Sequence, residues 1–275
     1  MSTYRMLADG TKIPLIGLGT WGIGGREQPD DTRDEESIAA MQMAIELGLT
    51  HLDTAEYYGA GHCEELVGQA IKNFERTKLF LTTKVWPTHL ARRDLMNSVK
   101  ASLKRLSTNY VDLLLVHWPN SNIPLRETMH TLEECIDKKY TKYIGVSNFS
   151  SQLMVEAQSY LKNGWIAVNQ TEYSLLDQKP RMELLPVCRH SGVLLVAYRP
   201  LGKGMLTQTS NVTIDKLAEK YGKTRGQIAI NWLISQEGVV VIPKSTNPVH
   251  IMELIGSQGW SMDEQDWESL ADAFR

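Results

Sequence analysis

Short runs rich in apolar and β-branched residues alternate along this chain with longer segments whose apolar residues recur every three or four positions. That alternation restricts the fold severely. Neighbouring parallel strands need a crossover of a dozen residues or more, usually a helix, so repeated strand-then-helix patterning reads as βα units around a parallel sheet. Eight strand cores are legible: Pro14 to Leu18, Thr50 to Asp53, Leu79 to Thr83, Val111 to Val116, Tyr143 to Val146, Ile166 to Asn169, Val193 to Ala197 and Val239 to Ile242. Amphipathic segments between them include Ser37 to Leu47, Arg92 to Leu106, Leu125 to Asp137 and Leu153 to Leu161. Eight units in 275 residues, against the ~250 of a complete (β/α)8 barrel, predict an α/β fold of the TIM-barrel type, as one domain over residues 1–275.

Ahead of the first strand, Arg5 to Ile13 carries Asp9-Gly10, a dipeptide suited to a type I′ turn. A β-hairpin there would plug the lower end of the barrel. Beyond the seventh strand, Ile214 to Tyr221 and Arg225 to Leu233 read as two helices in one connection, and Met262 to Phe274 as a last helix.

Composition narrows the function classes. A formal charge of −3 provides no broad positive field, so nucleic acid is not an expected partner. No stretch approaches the ~18 uninterrupted apolar residues of a membrane span, and the first dozen residues lack an apolar signal core. Cys63, Cys135 and Cys188 are odd in number and have no metal-type spacing, as expected of reduced thiols in a cytoplasmic protein without a metal site. Nothing in the chain specifies an oligomer, so a monomer is the default.

In a parallel barrel the active site is assembled at the carboxyl ends of the strands. Each strand here delivers polar or aromatic residues at that end: Gly19-Thr20-Trp21, Asp53 with Tyr58, Lys84 with Trp86, His117-Trp118, Ser147-Asn148, Gln170, Tyr198 and Lys244-Ser245. Any one of these reads equally well as a cap or a loop residue; their convergence on one mouth does not. Asp53, Tyr58, Lys84 and His117 form a coherent acid site. A phenol titrates near ~10, an adjacent ammonium lowers that value, and a carboxylate holds the ammonium charged. His117 is placed to polarise a carbonyl oxygen beside Tyr58. The plainer reading makes Asp53 and Lys84 a structural ion pair.

The stretches LGTW (Leu18 to Trp21), HLDTAEYYG (His51 to Gly59), TTKVW (Thr82 to Trp86), LLVHWP (Leu114 to Pro119), GVSNF (Gly145 to Phe149), NQTEY (Asn169 to Tyr173), AYRPLG (Ala197 to Gly202) and IPKSTNP (Ile242 to Pro248) occur in order at barrel spacing. In this the sequence resembles the aldo-keto reductase family over essentially its whole length. The resemblance implies an NADP(H)-dependent oxidoreductase that reduces small aldehydes or ketones, with Asp53, Tyr58, Lys84 and His117 as its catalytic tetrad. It further implies that Ser147, Asn148 and Gln170 hold the nicotinamide carboxamide, that Tyr198 stacks on the ring, and that Thr20 and Asp53 lie near its ribose. Gly19, Trp21, Arg199, Pro200, Leu201 and Gly202 would also touch the cofactor, Arg199 at the pyrophosphate. Lys244 and Ser245 would meet the adenosine 2′-phosphate, and Thr246, His250 and Glu253 would also contact the cofactor. Two departures leave NAD(H) open as an alternative cofactor: His250 stands where many members have an arginine, and Leu254 where an asparagine meets the adenine.

Trp21, Tyr57, Trp86, His117 and Trp118 would line the substrate pocket. The connection from Arg199 to about Asn211 is short and contains no helix in this reading, so an open pocket for small aldehydes, sugar-derived or 2-oxo, is expected. Gly17, Gly19 and Gly22 spell G-x-G-x-x-G after a strand, but IGGREQPDDTRDEE follows, with no helix before about Arg33. A dinucleotide fingerprint needs that helix, so the glycines read as a flexible loop over the mouth. Among rival activities, a glycosidase would use Asp53 with Glu172, and a Schiff-base aldolase would use a neutral Lys84. From a different class, a regulatory module would hold the nucleotide with little turnover.

Overall fold

The computed structural model describes residues 3–275. An antiparallel hairpin, β1 (Tyr4–Met6) and β2 (Lys12–Pro14), comes first. Eight parallel strands follow in strictly sequential order: β3 (Leu18–Gly19), β4 (His51–Asp53), β5 (Phe80–Val85), β6 (Val111–Val116), β7 (Thr141–Ser147), β8 (Ile166–Glu172), β9 (Leu194–Tyr198) and β10 (Val239–Ile242). Backbone bonds join the two edges, with Gly17 N–H donating to the Val241 carbonyl at 2.8 Å and Gly19 N–H to that of Pro243 at 2.9 Å. Gly19 is needed at this seam, since a Cβ there would sit 2.7 Å from the Ile242 carbonyl oxygen. The ring is the expected (β/α)8 barrel.

The helices on its outside are α1 (Asp34–Glu46), α2 (His62–Ile71), α3 (Arg92–Arg105), α4 (Leu125–Asp137), α5 (Ser151–Ser159), α6 (Lys179–Glu183) and α7 (Leu185–His190). After β9 come α8 (Met205–Gln208), α9 (Val212–Tyr221) and α10 (Arg225–Ile234), and after β10, α11 (Pro248–Ile255) and α12 (Glu264–Asp272). Side-chain oxygens mark several starts: Asn211 accepts from the N–H of Thr213, and Thr224 with Gln227 forms a reciprocal capping box.

Alternation along each strand divides the core in two. Leu113, Leu115, Val168, Leu194, Val196 and Val240 fill the inside of the barrel, while Leu114, Val116, Ile144, Leu195 and Val241 face the helices. Leu7 and Ile13 of the hairpin join the inner set, so the hairpin closes the lower end as expected.

Four expectations need correction. Pro14 belongs to the hairpin, and the first barrel strand is regular only over Leu18–Gly19, because Ile16 makes a single bridge to Val241 before the chain turns. The hairpin is not closed by a type I′ turn. Only Gly10 has positive φ, and Asp9 instead accepts hydrogen bonds from the N–H and hydroxyl of Thr11 and the hydroxyl of Tyr143. The connection after β9 carries the short helix α8. The glycine-rich loop after β3 is ordered rather than loose: Gly22 bridges Gly25, Gly25 bridges Pro29, and Asp30 N–H donates to Gly24.

Candidate active site

The strand register explains how a hydrophobic barrel presents a polar mouth. Paired residues of parallel strands share a face, and side chains alternate faces with a period of two. Thr82 pairs with the inward Leu113, so Lys84, two residues on, pairs with the inward Leu115. Asp53 pairs with Thr82, and Gln170 with the inward Val196. His117 follows Leu115 by two. The same inner face that is Leu and Val in its lower layers therefore ends in Asp53, Lys84, His117 and Gln170.

At the centre, the Lys84 ammonium is buried and fully engaged. It donates to Asp53 Oδ1, to the Thr54 carbonyl at 2.9 Å and to the Tyr58 hydroxyl at 3.1 Å. Asp53 Oδ2 accepts from Gln170 Nε2 at 2.8 Å, so both carboxylate oxygens are satisfied. Burial works against the charge on Lys84, but Asp53 and the Tyr58 oxygen outweigh it and hold its pKa above the ordinary value. For Tyr58 the balance differs from the sequence expectation. Burial first, with the charge of Asp53, raises its pKa against the lowering effect of Lys84, and the phenol ends above its usual range. The ammonium limits the rise rather than producing a net fall.

His117 packs edge-on to Tyr58, with ring centroids 5.6 Å apart. Burial, reinforced by Lys84, pushes its pKa down to about 2, so the imidazole is neutral. Its Nδ1 is enclosed without a partner, which leaves Nε2 as the nitrogen open to the mouth. Tyr57 and Trp86 stack at 3.7 Å, Trp21 lies nearly parallel to Tyr57, and both Trp21 and Trp86 meet the Tyr58 and His117 pair edge-on. Trp118 makes no ring contact with this group among the described residues and is 44% exposed.

On the opposite side, Asn148 donates from Nδ2 to the His117 carbonyl and the Ser147 hydroxyl, and its Oδ1 accepts from the Tyr198 hydroxyl at 2.8 Å. With Asn148 committed, the Ser147 hydroxyl hydrogen and the Gln170 Oε1 atom are a donor and an acceptor without a partner among the described residues. Asn148 and Arg199 both take left-handed backbone, φ 63° and 51°. Non-glycine residues adopt that region sparingly and often at functional sites. Arg199 is paired with Glu172 at 2.8 Å, and the turn Pro200-Leu201-Gly202 follows it. Beyond β10, Lys244 and His250 are exposed, Thr246 is partly buried, and Ser245 is buried with its hydroxyl accepting from the N–H of Asn247. Glu253 lies on α11 next to Leu254, whose side chain packs into the core and so offers nothing to a ligand.

Two contributors were not legible beforehand. Glu56 accepts from the N–H of Trp86 at 2.7 Å and bonds His89 at 3.0 Å, tying together the loops that carry the aromatic rings. Thr54 supplies a main-chain acceptor to Lys84, which no sequence pattern announces.

A barrel with an Asp, Tyr, Lys, His group at its mouth defines a class of oxidoreductase, and comparison with known proteins makes the assignment. The aldo/keto reductase family model matches residues 15–274, and the chain belongs to that family. It is 34% identical to the methylglyoxal reductase YeaE of Escherichia coli (strain K12), over 88% of this chain and 84% of that protein. The solved thermostable aldo-keto reductase Tm1743, in complex with the inhibitor epalrestat, superposes with a TM-score of 0.95 at 44% identity, covering 99% of this chain and 100% of that one. An aldo/keto reductase from Klebsiella pneumoniae, solved with NADP and acetate, gives 0.91 at 31% identity, over 100% and 96% of the two chains.

Proposed function

We propose that the protein is an NADP(H)-dependent carbonyl reductase that turns small aldehydes into alcohols, with Tyr58 giving the proton to the substrate oxygen. The observation that carries this reading is the Lys84 ammonium held between Asp53 and the Tyr58 hydroxyl beneath a neutral His117. The free Ser147 hydroxyl and Gln170 carbonyl oxygen suit a carboxamide, which needs one donor to its oxygen and one acceptor for its N–H. The half-buried ring of Tyr198 suits a flat heteroaromatic face. NADPH, when bound there, supplies a hydride to the carbonyl carbon.

The chain's own residues do the rest. His117 donates from Nε2 to the carbonyl oxygen, which therefore gains negative charge against a pre-placed donor. The Tyr58 hydroxyl accepts a hydrogen bond from Lys84 and keeps its own hydrogen for that oxygen. As the proton leaves, Lys84 stabilises the phenolate, and Asp53 keeps Lys84 charged throughout. Aldol chemistry through a Lys84 Schiff base is disfavoured, because it needs the neutral amine.

The rings of Trp21, Tyr57 and Trp86 cluster around Tyr58 and His117 and give the position beside them largely aromatic walls. This supports short substrates, 2-oxoaldehydes first, in keeping with the names of the methylglyoxal reductases among the relatives. The remaining expected contacts, from Lys244 and Ser245 to the 2′-phosphate and from Thr246, His250 and Glu253 to the cofactor, belong to the same reading. So do a cytosolic location, supported by three buried, unpaired thiols, and a monomeric state, checked by light scattering.

The direct test is initial-rate oxidation of NADPH and NADH with methylglyoxal, simple ketones and a no-substrate control. Aldehyde-dependent NADPH oxidation is expected. Tight NADPH binding without turnover of any carbonyl would instead make the protein a nucleotide-binding regulatory module.

A further inference from the structure

The family resemblance leaves the phosphate end of the cofactor short of one guanidinium, because His250 cannot offer a charged bidentate fork at neutral pH. The barrel brings others to the same rim. Leu15 to Gly19 is hydrogen-bonded to the β10 edge, so the loop after β3 and the loop after β10 are neighbours, and α1 packs on α11. Arg26 lies within the first of these loops and Arg33 at its end, as the N-cap of α1.

This loop is a built element. The Arg26 carbonyl accepts the Gly59 N–H at 2.6 Å, directly beside Tyr58, and buried Ile23 anchors the loop from below. Six carboxylates share the stretch from Arg26 to Glu36: Glu27 bonds Tyr57, Asp30 bonds Thr32, Asp34 bonds His62, Glu36 pairs with Arg33, and Asp31 and Glu35 are exposed, so that none acts on Lys244. Among the described residues the Arg26 and Lys244 side chains have no ion-pair or hydrogen-bond partner. Arg33 meets Glu36 in an exposed pair, worth little in water and readily exchanged. Lys244 feels the assembly. Desolvation first, then the charges of Arg33 and Arg26, pull its pKa down, and no carboxylate acts on it. Three cations thus share one rim without an acid that balances Lys244, an arrangement that a dianionic phosphate would relieve.

We propose that Arg26 and Arg33 complete, with Lys244, a cationic cradle for the 2′-phosphate of NADP(H), and so set the preference for the phosphorylated cofactor in place of an arginine at position 250. The inference rests on the reductase reading for the nature of the ligand. It differs in the residues it names, which reach the phosphate from the β3 side of the rim.

The test titrates NADPH and NADH against the wild-type protein, Arg26→Ala, Arg33→Ala, the double variant and the double variant carrying His250→Arg, by tryptophan fluorescence. Each single change is expected to weaken NADPH binding by about three- to tenfold and the double change by more, with NADH altered by less than about twofold. His250→Arg should restore NADPH affinity to the double variant, which a repair of loop folding would not do. Equal losses for both dinucleotides, or no loss for NADPH, would overturn the cradle. Parallel methylglyoxal assays at saturating NADPH separate the two readings: selective binding without any turnover would refute the reductase and leave the cradle standing.

Discussion

Tyr58 holds its proton because burial outweighs the pull of Lys84, and that balance decides what each substitution near it should do. Tyr58→Phe removes the hydroxyl bonded to Lys84 and is expected to cut kcat by about 10²- to 10⁴-fold while leaving the NADPH Kd nearly unchanged. Single-turnover kinetics with a separate binding titration distinguishes the two quantities. Lys84→Met should cost as much activity and also stability, because Asp53 would keep a buried charge with Gln170 alone; breaking a buried pair typically costs about 3–5 kcal/mol. A urea titration reads the second effect. His117, at about 2, is neutral across the working range. The pH profile of kcat between pH 5 and 8 should therefore carry no inflection that His117→Gln removes, and finding one would contradict a neutral donor. The four residue types were legible from their positions after strands. The direction of the Tyr58 shift was not, since it depends on how completely neighbouring chain segments exclude water.

At the scale of elements, α4 runs from Leu125 to Asp137 as its apolar spacing predicts, and α1 begins one residue after Arg33. The loop between β3 and α1 reads as flexible from the polar, turn-rich stretch that follows its glycines. What orders it is distant in sequence. Gly59, at φ 56°, lies against the loop so closely that a Cβ would sit 2.2 Å from the Gly24 carbonyl oxygen. Gly59→Ala is accordingly expected to separate the loop from the Tyr58 turn. We expect a stability loss of about 1–3 kcal/mol from the strained backbone alone, and a fall in kcat larger than that loss implies. Comparing thermal unfolding with turnover checks it; unchanged activity would mean that the loop does not position Tyr58. The short first strand and the helix α8 were missed for a related reason. The strand is settled by its pairing with β4 and the β10 edge, and α8 by its packing on α10, rather than by their own patterns.

For the whole molecule, barrel closure buries His51 completely, its Nε2 bonded to Thr82 Oγ1 at 3.0 Å and its Nδ1 unpartnered. Burial pushes its pKa down to about 4. The folded state therefore holds it neutral while the unfolded chain takes up a proton below pH ~6.5, so stability falls as pH drops from ~6.5 to ~4, by up to about 3 kcal/mol. His117 acts in the same direction. Urea midpoints at pH 7 and pH 5 should differ in that sense, and His51→Gln should shrink the difference; a midpoint that rises toward pH 5 would refute the assignment. Sequence alone determined the eight-fold repeat and the hairpin plug, and it set Asp53, Tyr58, Lys84 and His117 after strands, because hydrophobic period and strand-end chemistry are local properties of the chain. Tertiary structure decided the rest: which oxygens satisfy Lys84, which way Tyr58 shifts, that Leu254 faces the core, and that Arg26 and Arg33 share a rim with Lys244. Each of these depends on distance and on excluded water between segments far apart in sequence, and neither quantity exists until the barrel closes.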